Sequence, residues 1–251
     1  MNHQGLDELR EIDRAFAGNR LLSTMDSEAR ALIEPFGTIV ELDNSQVVLE
    51  RGLDVTSTVF PFGSTMISLS VELSGGRAVE VASIGREGAV GGIISCGHAP
   101  AFSRAVTLVG GPALRLPMHA LEDAKRRSGF IGNLFCRFSD YLLAEVMQSA
   151  ACNAFHTLPE RAARWLLHAQ DRAGDRIELT QGAFAGLLGV QRTSVNAVIR
   201  TLEDEGLIVT RRGVVVVTDR AGLKRRTCEC YRRLEDHFAA IIGPGGVGHA
   251  D

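Results

Sequence analysis

The stretch Ile177-Glu178-Leu179-Thr180-Gln181-Gly182-Ala183-Phe184-Ala185-Gly186-Leu187-Leu188-Gly189-Val190-Gln191-Arg192-Thr193-Ser194-Val195-Asn196 decides the fold. Ile177 to Thr180 reads as a short strand ending in a helix cap, because a threonine oxygen can accept from the free N–H groups of a first helical turn. Phe184, Leu187 and Leu188 follow at helical spacing, with the small Ala183 and Ala185 among them. Gly189 makes a turn, and a second helix opens at Gln191-Arg192-Thr193-Ser194 and buries Val195, Val198, Ile199 and Leu202. Gly206 ends that helix. Ile208 to Thr210, the tip Arg211-Arg212-Gly213 and Val214 to Thr218 predict a hairpin. The pattern is a helix-turn-helix followed by a two-stranded wing.

Such a unit suits duplex DNA, since a helix fits the major groove and its first residues reach base edges. Gln191, Arg192, Thr193 and Ser194 open the second helix, and Arg192, Thr193 and Asn196 fall on its exposed side, between the buried positions. Arg200 lies two turns along the same face, where a phosphate contact is expected, and Thr180 with Arg211 and Arg212 approaches phosphates from the first helix and the wing. Charge agrees: from residue 192 to 233 there are ten basic against five acidic residues, although the whole chain has a net charge of -3. The competing reading is a winged helix used for protein contact, with its arginines merely solvated.

Upstream the texture changes twice. Ile131, Phe138, Glu145 and Cys152 repeat every seven positions, with Leu134 or Phe135, Leu142 and Ser149 between them, predicting a helix of about 25 residues. Its few charges rule out solvation on all sides. One face is expected on the preceding domain and another on a second subunit, through Ile131, Phe135, Phe138, Leu142, Glu145, Ser149 and Cys152; the competing reading is a helix buried within its own monomer. Before it, Thr38 to Leu42, Gln46 to Leu49, Ser57 to Pro61, Thr65 to Leu73, Arg77 to Ile84, Ser103 to Leu108 and Ala113 to Pro117 are short runs rich in Val, Ile and Thr, punctuated by glycines. Short strands at this spacing predict a small barrel or jelly roll. Leu6, Leu9, Ile12 and Phe16 suggest an opening helix, and Asp26 or Ser27 caps a short one through Glu34.

The fold class is therefore α+β: an N-terminal antiparallel β-roll of jelly-roll type, a long dimerisation helix and a C-terminal winged helix-turn-helix. The expected divisions are 1–118 for the helices and β-roll, 119–156 for the long helix, 157–240 for the winged helix and 241–251 for a flexible tail.

At Leu179-Thr180-Gln181, Gly189-Val190-Gln191-Arg192-Thr193-Ser194-Val195 and Leu202-Glu203-Asp204-Glu205-Gly206-Leu207-Ile208 the chain resembles the DNA-binding domain of the Crp/Fnr transcription regulators. The order of β-roll, long helix and winged helix matches as well, and Ile84-Gly85-Arg86-Glu87-Gly88-Ala89-Val90-Gly91 is similar to the family's sensor-domain turn. The resemblance runs from about Asn19 to Thr218. It implies a homodimer on a pseudo-palindromic operator, with RNA polymerase as a further candidate partner.

The departures concern the effector. In cyclic-nucleotide-binding members, the glycine ending that turn is followed by a glutamate for the ribose hydroxyl and, ten residues on, by an arginine for the phosphate and then a serine. Here those positions hold Gly92, Phe102 and Ser103. Arg104 points to the same strand face as Phe102 but lies about 7 Å further along. The resemblance therefore implies a regulator without the cyclic AMP anchors. The candidate effector pocket comprises Gly91, Gly92, Ile93, Ile94, Phe102, Ser103, Arg104, Val146 and Met147, for a smaller or less charged ligand of unknown identity, and the alternative is an effector-free scaffold.

No cofactor is expected. The family's iron-sulfur members carry an N-terminal cysteine cluster, whereas the first cysteine here is Cys96. Cys96 and His98 provide two metal ligands, fewer than the four of a structural zinc site. Cys228 and Cys230, placed in a terminal helix, would diverge by about 200°, which argues against a shared metal. A cupin-like metalloenzyme barrel, or a small-ligand module fused to a winged helix, is the other class. Cupin chemistry needs clustered histidines, and the barrel span has His98 and His119 without a His-x-His pair. No nucleophile motif appears, so no catalytic residue and no enzyme activity are expected.

Composition sets the outer bounds. With 45% hydrophobic and 23% charged residues, disorder and fibrous repeats are excluded. The longest uncharged stretch, Val55 to Val71, is diluted by Ser, Thr and Pro and falls short of a membrane span. Asp7, Glu8, Glu11 and Asp13 interrupt any signal-peptide pattern, and an odd number of scattered cysteines is not a disulfide framework, so a cytoplasmic protein is expected.

Overall fold

Among the described residues seven strands lie between positions 38 and 117: β1 (Thr38–Leu42), β2 (Val47–Leu49), β3 (Ser57–Pro61), β4 (Met66–Leu73), β5 (Arg77–Ile84), β6 (Arg104–Val109) and β7 (Gly111–Pro117). A computed structural model describes residues 3–74, 77–93 and 100–243. The strands form two antiparallel sheets, ordered β1-β7-β3 and β2-β6-β4-β5. Leu42, Val59 and Ala113 of the first sheet and Ile67, Ile84 and Ala105 of the second share one buried core. That is the β-roll the Val/Ile/Thr runs predicted, with residues alternating between its interior and its outer faces.

The other face of the first sheet carries the helical layer. Phe60, Leu114 and Leu116 meet α1 (His3–Gly18), α2 (Ser27–Ile33), α3 (Met118–Arg127), α4 (Gly129–Phe155) and the terminal α9 (Cys230–Ile241) in a second core. Asp26 caps α2 by accepting from the Ala29 N–H at 2.8 Å. The predicted long helix is α4, with 27 residues, and the Phe135 ring meets that of Phe60 edge-on with centroids 6.1 Å apart.

The C-terminal part consists of α5 (Leu158–Ala173), β8 (Arg176–Glu178), α6 (Gln181–Leu188), α7 (Arg192–Asp204), β9 (Ile208–Arg211), β10 (Val214–Val217), α8 (Arg220–Arg226) and α9. Its strands pair in the order β8-β10-β9. Trp165, Phe184, Val195, Ile199 and Val215 form its core, which also takes in Met66 and Val109 of the β-roll. The winged helix is thus seated on the β-roll.

The face assignment of α4 needs correction. Ile131, Phe135 and Phe138 are buried in the helical layer of their own chain, Glu145 is buried against Arg172, and Cys152 is buried beside Cys228 and Cys230. Leu142 packs on the β-roll core, and Ser149 is half-buried. A seven-residue repeat marks a buried face without saying whose surface covers it, and here that surface belongs to the same chain. The outer face of α4 instead presents Leu143, 52% exposed, Val146 at 38% and Met147 at 60%. The expected tail lies outside the described residues from 244 onward.

Candidate nucleic-acid interface

Thr180 caps α6 as its sequence position predicted, its Oγ1 accepting from the Ala183 N–H at 3.1 Å. Gly189 follows α6 with φ of 67°, a left-handed conformation that costs a side chain free energy and turns the chain into α7. Val195, Val198, Ile199 and Leu202 are buried on the inner face of α7. Gln191, Arg192, Thr193, Ser194, Ala197 and Arg200 are exposed on the outer one. Asn196 is only half-buried rather than fully exposed, and its Oδ1 has no hydrogen-bond partner among the described residues.

The wing is tied to this helix. Glu203 of α7 accepts from the Thr210 backbone N–H at 2.8 Å and from its hydroxyl at 2.7 Å, and the Leu179 N–H donates to the Gly213 carbonyl at 2.7 Å. Thr180, Arg192, Arg211 and Arg212 consequently line one cleft. Three arginines and the N-terminus of α6 thus line one concave surface, beside the exposed face of α7.

Over residues 160–226 the chain matches the family described as the Crp-like helix-turn-helix domain. The chain carries a Crp-like helix-turn-helix domain. Within it, 70 residues are 41% identical to the HTH-type transcriptional regulator Cmr of Mycobacterium tuberculosis, a match spanning 28% of this chain and 28% of that protein's length. The Crp-like domain and the β-roll together superpose on FixK2 of Bradyrhizobium japonicum with a TM-score of 0.65 at 15% identity, covering 76% of this chain and 98% of that one. TTHB099, a CRP-family transcriptional regulator of Thermus thermophilus, superposes with a TM-score of 0.60 at 20% identity, covering 74% and 95%. The fold is that of the Crp/Fnr regulators. Among the described residues no helix is long and apolar enough to cross a membrane.

The Crp-like domain is held to the β-roll by groups that sequence reasoning missed. Arg172 of α5 is buried, with Nε 2.7 Å from Glu87, one terminal nitrogen 2.9 Å from the Ser83 hydroxyl and the other 3.1 Å from Glu145. The glycines of the Gly85 to Gly91 turn make room for this: a Cβ on Gly85 would lie 2.7 Å from the Arg172 Cβ, and one on Gly88 would strike the Phe138 ring. Trp165 donates its indole N–H to Glu80 at 2.6 Å, and Asn44 donates to Glu178 at 2.6 Å. Burial pushes the Glu80 carboxyl up to about 7.

The residues expected around an effector do not converge. Phe102 is 78% exposed, and Val146 and Met147 lie on the outer face of α4. Arg104 pairs with Glu50 at 3.2 Å, and Ser103 beside it is half-buried. A side chain on Gly92 would collide with Met118, and Lys125 donates to the carbonyls of Gly92 and Ile93 at 3.1 and 3.5 Å. Gly91 takes φ of 92° and closes the turn against β3. Ile94, Cys96 and His98 lie outside the described residues. The placement of the late cysteines also differs from expectation: Cys228 sits in the turn before α9 and Cys230 is its first residue, so no helix holds the two thiols apart.

Proposed function

We propose that this chain is a sequence-specific DNA-binding transcription regulator, acting as a homodimer on a pseudo-palindromic operator. The observation that carries this reading is the exposed face of α7, with Arg192, Thr193 and Arg200, beside the cleft formed with Thr180, Arg211 and Arg212. Gln191, Arg192, Thr193, Ser194 and Asn196 read base edges, and Arg200, Thr180 and the wing arginines hold phosphates. Residues 157–240 bind DNA, 119–156 dimerise and 1–118 form the regulatory domain. RNA polymerase is a candidate partner.

The outer face of α4 supports the dimer. Leu143, Val146 and Met147 lie within one turn and would each be covered by the same helix of a second copy, in a two-fold arrangement. That symmetry places the two α7 helices on successive major grooves only at one spacing, about 34 Å. Regulation then consists of changing how the winged helices are held. Gly92 and Phe102 provide neither a carboxylate for a ribose nor a cation for a phosphate, so this control does not use cyclic AMP.

Fluorescence anisotropy with the full chain tests the assignment. Affinity for a selected duplex should fall steeply with salt, because phosphate neutralisation releases counterions. Arg200→Ala should weaken all duplexes alike and reduce the salt slope, whereas Arg192→Ala should cost about 1–3 kcal/mol at one or two base pairs only. Salt-independent binding, or binding untouched by both substitutions, would refute the interface.

A further inference from the structure

Four ligand side chains converge where the end of α4 meets the junction of α8 and α9. Cys152 and His156 stand one helical turn apart at the C-terminal end of α4, Cys228 lies in the turn after α8, and Cys230 opens α9. The three thiols are buried and form a cluster separate from the hydrophobic cores, and His156 is half-buried beside them. We propose that Cys152, His156, Cys228 and Cys230 bind one zinc ion in a closed tetrahedral site that fastens the long helix to the DNA-binding half.

The spacing matches that geometry. Zinc–sulfur and zinc–nitrogen bonds of about 2.3 and 2.0–2.1 Å at tetrahedral angles require sulfur–sulfur and sulfur–nitrogen separations of about 3.8 and 3.6 Å. Cys152 Sγ lies 3.6 Å from Cys228 Sγ, and Cys230 Sγ lies 3.4 Å from His156 Nδ1, with all four ligand atoms within 4.8 Å of one another. Three thiolates and an imidazole suit zinc and leave no open position, which assigns the site a structural rather than a catalytic part.

The surroundings are those of a metal site. His156 turns Nδ1 toward the thiols and Nε2 toward the Glu229 carboxylate at 3.3 Å, the carboxylate–histidine arrangement that orients a ligating imidazole. Gln148 donates to Cys230 Sγ at 3.0 Å, as outer groups do to ligating thiolates. A Cys152–Cys228 disulfide would use two of the four groups and leave the orientation of His156 and the position of Cys230 without a reason.

The test is metal analysis of the full chain, purified under reducing conditions without chelator. The wild type and Cys136→Ser, which changes an exposed cysteine outside the cluster, should retain one zinc per chain. Cys228→Ser and His156→Gln should lose it. The metal-free wild type titrated with cobalt should develop the intense visible bands of tetrahedral, thiolate-bound cobalt and saturate at one equivalent, a readout that holds even if a variant fails to fold. A wild type that holds no zinc and leaves cobalt in its pale octahedral form would overturn the site. So would full zinc retention in both ligand variants, or a Cys152–Cys228 disulfide in the reduced preparation's mass spectrum.

Discussion

Arg172 of α5 and Glu145 of α4 meet at 3.1 Å in the interior, where the same guanidinium holds Glu87 at 2.7 Å. One cation therefore joins the turn after β5, the long helix and the first helix of the DNA-binding domain. Buried ions of this kind are held by mutual compensation, because a single uncompensated charge is far more costly than the assembled set. Any shift of the Crp-like domain relative to the β-roll has to break or rearrange this cluster.

Arg172→Met should therefore lower stability by about 3–5 kcal/mol, since it strands two buried carboxylates. Adding Glu87→Gln and Glu145→Gln should recover much of the loss. Urea denaturation of the wild type, the single variant and the triple variant measures this; a loss for Arg172→Met below about 1 kcal/mol, the range of an ordinary substitution, would show that the cluster carries little.

Glu80 makes the same junction sensitive to pH. Its carboxyl is raised from 4.5 to about 7, first by burial, while the hydrogen bonds from Ser68 and Trp165 oppose the shift. The folded protein thus holds this proton more tightly than the unfolded chain. Its contribution is intact below about 4.5 and is lost as pH rises to about 7, a change of about 3 kcal/mol. Glu80→Gln should flatten the stability profile across that window. Parallel wild-type and variant slopes between those limits would remove the effect.

Leu143→Asp combined with Met147→Asp should give folded monomers with little operator affinity, because the change falls on the outer face of α4. Phe138→Asp should instead unfold the chain, since loss of a buried aromatic side chain alone costs about 3–5 kcal/mol. Light scattering and circular dichroism separate the outcomes. A persistent dimer in the double variant would place the interface elsewhere.

Cyclic AMP and cyclic GMP should show no binding in the micromolar range by calorimetry. Charge-assisted hydrogen bonds contribute about 1.5–3 kcal/mol each, so lacking both the ribose and the phosphate anchor weakens affinity by about two orders of magnitude or more. Micromolar binding of either nucleotide would contradict this and implicate Arg104.

What could be read from the sequence was what local chemistry determines. β1, β3 and β5 end where the Val/Ile/Thr runs end, Thr180 and Gly189 frame the helix-turn-helix, and Val195 to Leu202 sort α7 into an inner and an outer face. The periodicity of α4 was equally visible, but not which surface covers it, because Leu143 and Glu145 differ only by a rotation of about 200° around the helix. Nothing local relates Arg172 to Glu87, 85 positions away, and a lone arginine on an amphipathic helix reads as solvated. The cysteines misled for a related reason. Starting α9 two residues earlier separates Cys228 from Cys230, and helix boundaries are the part of a sequence reading least determined by pattern.

If α7 reads DNA in a two-fold symmetric pair, selection from a random duplex pool with the full chain will reveal it. A symmetric site with half-sites centred one helical turn, about 34 Å, apart should be enriched. Arg192→Ala should relax the same position in both halves. Recovery of a single asymmetric half-site, or no enrichment over the starting pool, would contradict it.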